Sequence, residues 1–164
     1  MKTLLSILMI STCGSAVVAC THTPTETITM TAKPATKTLI QTIYDGFAEG
    51  DMAKVTSVMA DDIVWNEAQG NPYADLNPYI GPDKILSGLF SRLGGEWDYF
   101  HATPEEFIVD GERVVALGHY KAQHKTTGKE MDAPFVHVWT VQNGKLTTFQ
   151  QYTDTAAHVD AMGE

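Results

Sequence analysis

The groups in this 164-residue chain able to move a proton, hold a metal or attack a carbon are 20 acidic residues, six histidines and two cysteines. Their spacing removes most familiar chemistries. His119 and His124 lie on one extended stretch at an odd separation, which puts them on opposite strand faces, so they do not make a metal pair. There is no HExxH, no CxxC, no glycine-rich phosphate loop and no nucleophile elbow. Metal, nucleotide and covalent-nucleophile chemistry therefore have no motif to rest on, and no cofactor is implied. The polar groups left near aromatic side chains are few. Glu67 follows a short apolar run and opens a Pro-containing loop, where a carboxylate is ordinarily solvated. Trp65 shares its strand face if the strand reaches that far. Tyr73 and Tyr79 sit in the same loop, able to cover a ligand or to pin the loop down. His137 alternates with Phe135 and Trp139 on a later strand, and Phe149 alternates with Gln151 on the last one. A glutamine there is a neutral donor and acceptor, suited to orienting a carbonyl or hydroxyl.

The elements that must position these residues can be read from periodicity. Leu39, Ile40, Ile43, Tyr44 and Phe47 form one stripe of a helix over 38–49. Gly50 stops it and Asp51 can cap a short second helix carrying Met52, Val55, Val58 and Met59. Ile63-Val64-Trp65 is a brief strand. Pro82 suits the first position of a third helix, with Ile85, Leu86, Leu89, Phe90 and Leu93 as its apolar face and Gly94-Gly95 as its stop. Beyond Trp97, turn signals at Asp110-Gly111, Thr126-Thr127-Gly128 and Asn143-Gly144 separate four β-type runs. Helices followed by an antiparallel meander predict an α+β domain with helices on one face of a curved sheet. Asp154 is placed to cap a final short helix.

The N-terminus speaks to location. Lys2, the apolar run Leu4 to Ile10 and the small residues up to Ala19 have the layout of an export signal over 1–19, too short to span a bilayer. Val17-Val18-Ala19-Cys20 resembles a bacterial lipobox, which implies acylation of Cys20 and membrane attachment through that lipid alone. Thr21 after the cysteine is similar to the pattern that directs such proteins to the outer membrane, on its periplasmic side. Ordinary cleavage after Ala19, giving a soluble periplasmic or secreted protein, is the other reading. Cys13 leaves with the signal, so no internal disulfide is available. The Thr-rich stretch 20–37 reads as a flexible tether, leaving a folded domain at 38–164. A net charge of −9 repels phosphate backbones, so nucleic acid is not an expected partner.

The order Ala48-Glu49-Gly50-Asp51, Ala60-Asp61-Asp62, Gly81-Pro82, Ala133-Pro134 before His137-Val138-Trp139, and Gly144-Lys145 before Tyr152-Thr153-Asp154 resembles the nuclear transport factor 2-like superfamily, within it the SnoaL-like and ketosteroid isomerase-like proteins. The resemblance covers about 38–155. It implies a cone, a bent sheet wrapped around three N-terminal helices, with a mostly apolar pocket and often a homodimer. Counted without gaps from Gly50-Asp51, the isomerase general base falls on Glu67, which desolvation would fit for proton transfer. The oxyanion hole does not transfer. Its tyrosine falls on Ile43, one place from Tyr44, and its protonated aspartate on Val136. Steroid isomerase activity is therefore not expected. The same count points Val136, Phe149 and Gln151 into the pocket, and hence His137 outward, although His137 is kept among the candidates.

Three functions follow from these readings. The first is an exported lipoprotein whose pocket, lined by Trp65, Tyr73, Tyr79, Phe149, Gln151 and His137, holds a small apolar or carbonyl-containing molecule. The second is an acid/base isomerase, cyclase or dehydratase using Glu67. The third is a non-catalytic dimerisation domain using the sheet face around His137 and Trp139. The membrane attachment has a direct test. Cys20→Ser is expected to move the protein from the membrane pellet to the soluble fraction on cell fractionation; a variant that stays in the pellet contradicts the anchor.

Overall fold

The computed structural model describes the backbone of residues 32–163 and the side chains of 35–163. The signal segment, Cys20 and most of the stretch 20–37 lie outside the described residues. The first helix, α1 (Ala32–Glu49), starts six residues before the apolar stripe predicts, so the end of the expected tether is helical. Its buried face is the predicted one, with Ile40 and Ile43 fully buried and Tyr44 nearly so. Gly50, at φ +70, ends it. The Asp51 side chain then accepts from Lys54 N to cap α2 (Met52–Ser57).

β1 (Met59–Asn66) leads into a loop with a 3-10 turn at Pro72–Leu76, then β2 (Tyr79–Ile80). Three segments run on from Pro82: α3 (Pro82–Ile85), a π-helical turn (Leu86–Phe90) and α4 (Ser91–Glu96). Gly94-Gly95 does not stop this helix; the backbone stays helical to Glu96. Lys125 Nζ donates to the Gly94 and Gly95 carbonyls, satisfying helix-end acceptors in place of a glycine cap. Four long strands follow, β3 (Trp97–Asp110), β4 (Arg113–His124), β5 (Glu130–Gln142) and β6 (Lys145–Thr153), and then α5 (Thr155–Met162). All three turns fall where the sequence places them. Asn143 and Gly144, both at positive φ, make the two-residue loop between β5 and β6. Asp154 caps α5, accepting from Ala156 N and Ala157 N.

The sheet order is β2-β1-β6-β5-β4-β3. β3 to β6 form the expected meander. β1 instead lies parallel to β6, with Trp65 opposite Phe149, so the sheet is mixed rather than wholly antiparallel. Register breaks in the β3–β4 pair, one of them between Pro104 and Glu106, bend the sheet around the helices. Gly118 sits opposite this break; a Cβ there would come within 2.1 Å of the Thr103 carbonyl oxygen and 2.6 Å of the Phe135 ring. The strands close so tightly only because residue 118 has no side chain. Among the described residues no helix is long and apolar enough to cross a membrane.

Even-numbered residues of β4 and odd-numbered residues of β5 face the core: Ala116 and Tyr120 on one, Phe135, His137 and Trp139 on the other. Thus His137 points into the cone, opposite to the outward direction given by the gapless count. Because side chains alternate with a period of two, an error of one residue reverses every face, and the count carries that error into β5. Gly118→Ala should cost more than ~2 kcal/mol of stability through overpacking against backbone, measured as a fall in the urea midpoint; an unchanged midpoint contradicts this account of the bend.

Candidate active site in the cone

The cone encloses a cavity of about 310 Å³ whose walls come from α1, the loop after β1, the π-helical turn and the four long strands. Its lining is mostly apolar and aromatic, including Phe47, Leu89, Phe90, Trp97, Phe100 and Phe149. The polar side chains that reach it are few, and most of the buried ones are bonded to each other.

Glu67 continues the inward face of Ile63 and Trp65 just past the end of β1. Asn77 holds its backbone on both sides, accepting from Glu67 N at 3.0 Å and donating to its carbonyl at 2.8 Å. The carboxylate takes a hydrogen bond from Trp65 Nε1 at 2.7 Å and a longer one from Asn71 Nδ2 at 3.4 Å. Only 5 % of Glu67 is exposed. Burial pushes its pKa from 4.5 up to about 7, with the Trp65 indole and the neighbouring Gln151 amide pulling it back. A second, polar crevice, shared with Asn66, Gln69, Asn77 and Thr155, also borders Glu67.

From Glu67 a continuous chain of buried hydrogen bonds crosses the cavity wall, and backbone groups fix its direction. Asn71 Oδ1 accepts from Tyr73 N, so its Nδ2 faces Glu67 and Gln151. Gln151 Oε1 accepts from Ala68 N at 3.1 Å and from Asn71 Nδ2 at 2.9 Å. Its Nε2 therefore donates to Tyr120 Oη, 2.9 Å away. Tyr120 Oη lies 2.5 Å from His137 Nε2, and Tyr44 Oη lies 2.7 Å from His137 Nδ1. Trp139 Nε1 donates to Tyr44 Oη at 3.4 Å.

Burial drives the His137 pKa from 6.5 down to about 3, so its imidazole is neutral and carries a single N–H. Burial also raises both tyrosine pKa values, so each phenol keeps its proton. Two phenol protons and one imidazole proton are shared over the two contacts with His137, and one phenol proton is left over. With His137 protonated on Nε2, the free O–H is that of Tyr120; with the proton on Nδ1, it is that of Tyr44. Both tyrosines line the cavity. The wall facing the ligand space thus always offers one uncommitted hydrogen-bond donor, suited to a carbonyl or enolate oxygen.

The structure brings Trp65, Glu67, Tyr73, His137, Phe149 and Gln151 to the cavity. Trp65 and Phe149 pack against each other with ring centroids 3.8 Å apart and planes tilted by 31°. Tyr73 is wall and anchor at once, since it is buried and its hydroxyl donates to Glu96 Oε2 and accepts from Trp97 Nε1. Tyr79 is not in the wall. It is buried in the core, where its hydroxyl donates to the Tyr73 carbonyl. The loop tyrosines are therefore fixed, and the most exposed cavity-lining residues are Gly94, Asp98 and Tyr99 at the α4–β3 junction. The expected assembly face loses its two anchors, because His137 and Trp139 are both inside. His119 and His124 do lie on opposite faces, the first paired with Glu105 at 3.1 Å, and no cluster of three metal-ligating side chains occurs among the described residues.

Four buried polar residues of the cavity are absent from the sequence reading: Tyr44, Asn71, Tyr120 and His158. Tyr44 was passed over because it is one place from the isomerase tyrosine, yet helix α1 turns its hydroxyl into the cavity. Tyr120 had a usable signal, since it shares the parity of the apolar Val114 and Ala116. Asn71 lies in an irregular loop, where no periodicity assigns a direction.

The family model for the SnoaL-like domain matches residues 40–149. Patulin synthesis protein F of Aspergillus clavatus is 29% identical over 93 residues, spanning 56% of this chain and 46% of that protein. The chain thus spans about half the length of that curated relative. Among solved structures, a nuclear transport factor 2-like protein from Burkholderia thailandensis is 31% identical with a TM-score of 0.75, the match covering 79% of this chain and 98% of that one. TerC, co-crystallised with polyporic acid, is 26% identical with a TM-score of 0.71 over 79% of this chain and 99% of its own.

Proposed function

This chain belongs to the SnoaL-like domain family, and from that premise we propose that its cavity binds a small, largely apolar molecule bearing a carbonyl group and that Glu67 moves a proton on it. The observation that carries this reading is the placement of Glu67: a buried carboxyl at the cavity wall, poised near neutrality, linked through Gln151 to a pair of tyrosines with one spare O–H. Two relatives support a small-molecule role, one named for patulin synthesis and one crystallised with polyporic acid.

Glu67 in its ionised form removes a proton from the carbon next to the carbonyl. The electron pair moves onto the carbonyl oxygen, where the uncommitted phenol of Tyr44 or Tyr120 meets the developing charge. The Glu67 carboxylic acid then returns the proton to a different carbon in an isomerisation, or to a departing hydroxyl in a dehydration. A pKa near the working pH suits both halves of such a cycle, because neither form of the carboxyl is rare. The apolar walls exclude water and strengthen the tyrosine–oxyanion bond. Location enters the reading too: lipid attachment at Cys20 would hold the domain at the cell envelope, where its ligand would have to be met.

Deuterium exchange next to the carbonyl of 2-tetralone, followed by proton NMR in deuterated buffer, tests the chemistry. The protein should accelerate exchange above the buffer rate, with activity rising as pH passes through about 7. Glu67→Gln should lower the catalysed rate by at least ~100-fold. Exchange no faster than in buffer, or undiminished in Glu67→Gln, contradicts the assignment.

A further inference from the structure

His158 stands apart from the network above. It lies on α5, is 1 % exposed, and lines the cavity. Its Nδ1 is 3.1 Å from the carbonyl oxygen of Asp154, one turn earlier on the same helix. A carbonyl only accepts, so Nδ1 carries the proton and donates. Burial lowers the pKa of the ring, so His158 is neutral and Nε2 is left with a bare lone pair. That Nε2 is buried and has no hydrogen-bond partner among the described residues. The ring is surrounded by the faces and edges of Phe100 and Tyr120, at 6.3 Å and 5.6 Å between centroids. The Tyr120 hydroxyl is turned away toward His137 and Gln151. Buried acceptors are ordinarily satisfied, so one left bare beside a cavity calls for a partner, and the cavity has room to supply it.

We propose that His158 Nε2 is the hydroxyl-accepting subsite of this pocket, so that the natural ligand presents an O–H of phenol or enol type at the α5 side of the cavity. The proposal rests on the pocket reading above and extends it. The Tyr44–His137–Tyr120 group offers a donor and His158 offers an acceptor, so the two ends select a molecule carrying both an acceptor oxygen and a hydroxyl on an apolar frame. The helix hydrogen bond through Asp154 fixes the ring in its accepting form. His158 is thus a specificity determinant, separate from the acid/base role of Glu67.

The probes are 2-naphthol and its methyl ether, 2-methoxynaphthalene, titrated into the purified protein by calorimetry. The naphthol should bind about tenfold more tightly than the ether, the value of one added hydrogen bond. In His158→Phe the ratio should fall to about one, whatever the common change in affinity for the two probes. Histidine nitrogen NMR of the unaltered protein gives a second readout that needs no variant. The His158 Nε2 resonance should start as an unprotonated nitrogen, shift on saturation with naphthol, and stay in place with the ether. A ratio that survives in His158→Phe, or an Nε2 signal unmoved by bound naphthol, overturns the subsite while leaving the pocket reading standing. If neither probe binds, the apolar-pocket reading falls and the subsite with it.

Discussion

Gln151 is the residue through which the two halves of the site are joined. Its carbonyl oxygen is held by the Ala68 backbone N–H and by Asn71 Nδ2, and those two donors decide which way its amide faces. With the oxygen committed on one side, the nitrogen must donate to Tyr120 on the other. The direction of every bond farther along follows: Tyr120 has a lone pair filled, His137 has one proton for two neighbours, and a phenol proton is left over. A cone lined with aromatic rings can hold so many polar groups only because each finds a partner. The two donors to Gln151, Ala68 N and Asn71 Nδ2, give that network its polarity.

The network also holds two ionisable groups away from their charged forms, with opposite consequences for stability. Glu67 has a folded pKa of about 7 against 4.5, so its contribution is full below 4.5 and is lost as pH rises through about 7. His137 has a folded pKa of about 3 against 6.5, so its contribution is full above 6.5 and is lost as pH falls toward 3. Between 4.5 and 6.5 the two slopes oppose each other. At neutral pH the fold therefore tolerates an uncomfortable carboxyl at its wall while keeping the imidazole neutral. Such a carboxyl contributes less to stability than a solvated one would, and gains the ability to exchange a proton near neutral pH.

Much of this architecture was legible in the sequence. Asn143-Gly144 and Asp110-Gly111 marked hairpins through local backbone chemistry that tertiary structure does not override. The stripes at Ile40, Ile43 and Tyr44 and at Ile85 and Leu89 marked helix faces that are buried. What could not be read was direction. His137 was assigned outward because a gapless count was carried across bulged strands, and a slip of one residue reverses a strand face. Local bulk is the better signal, since Phe135 and Trp139 share the face of His137 whereas the other face carries only Pro134, Val136, Val138 and Thr140. Gly94-Gly95 misled for the opposite reason: Lys125, distant in sequence, satisfies the helix end there. Partnerships such as Gln151 with Ala68, or His137 with Tyr44, join residues 83 and 93 positions apart and leave no local pattern.

Proton transfer in this cavity depends on the state of the Glu67 carboxyl. The most direct measurement is a carbon NMR titration of the protein labelled at the glutamate side-chain carboxyl, with Glu67→Gln used to identify the signal. A Glu67 resonance that titrates with a midpoint of about 7 is the predicted result. A midpoint at the ordinary glutamate value of 4.5 would mean that water reaches the carboxylate freely, and would contradict the proposal that this cavity transfers a proton.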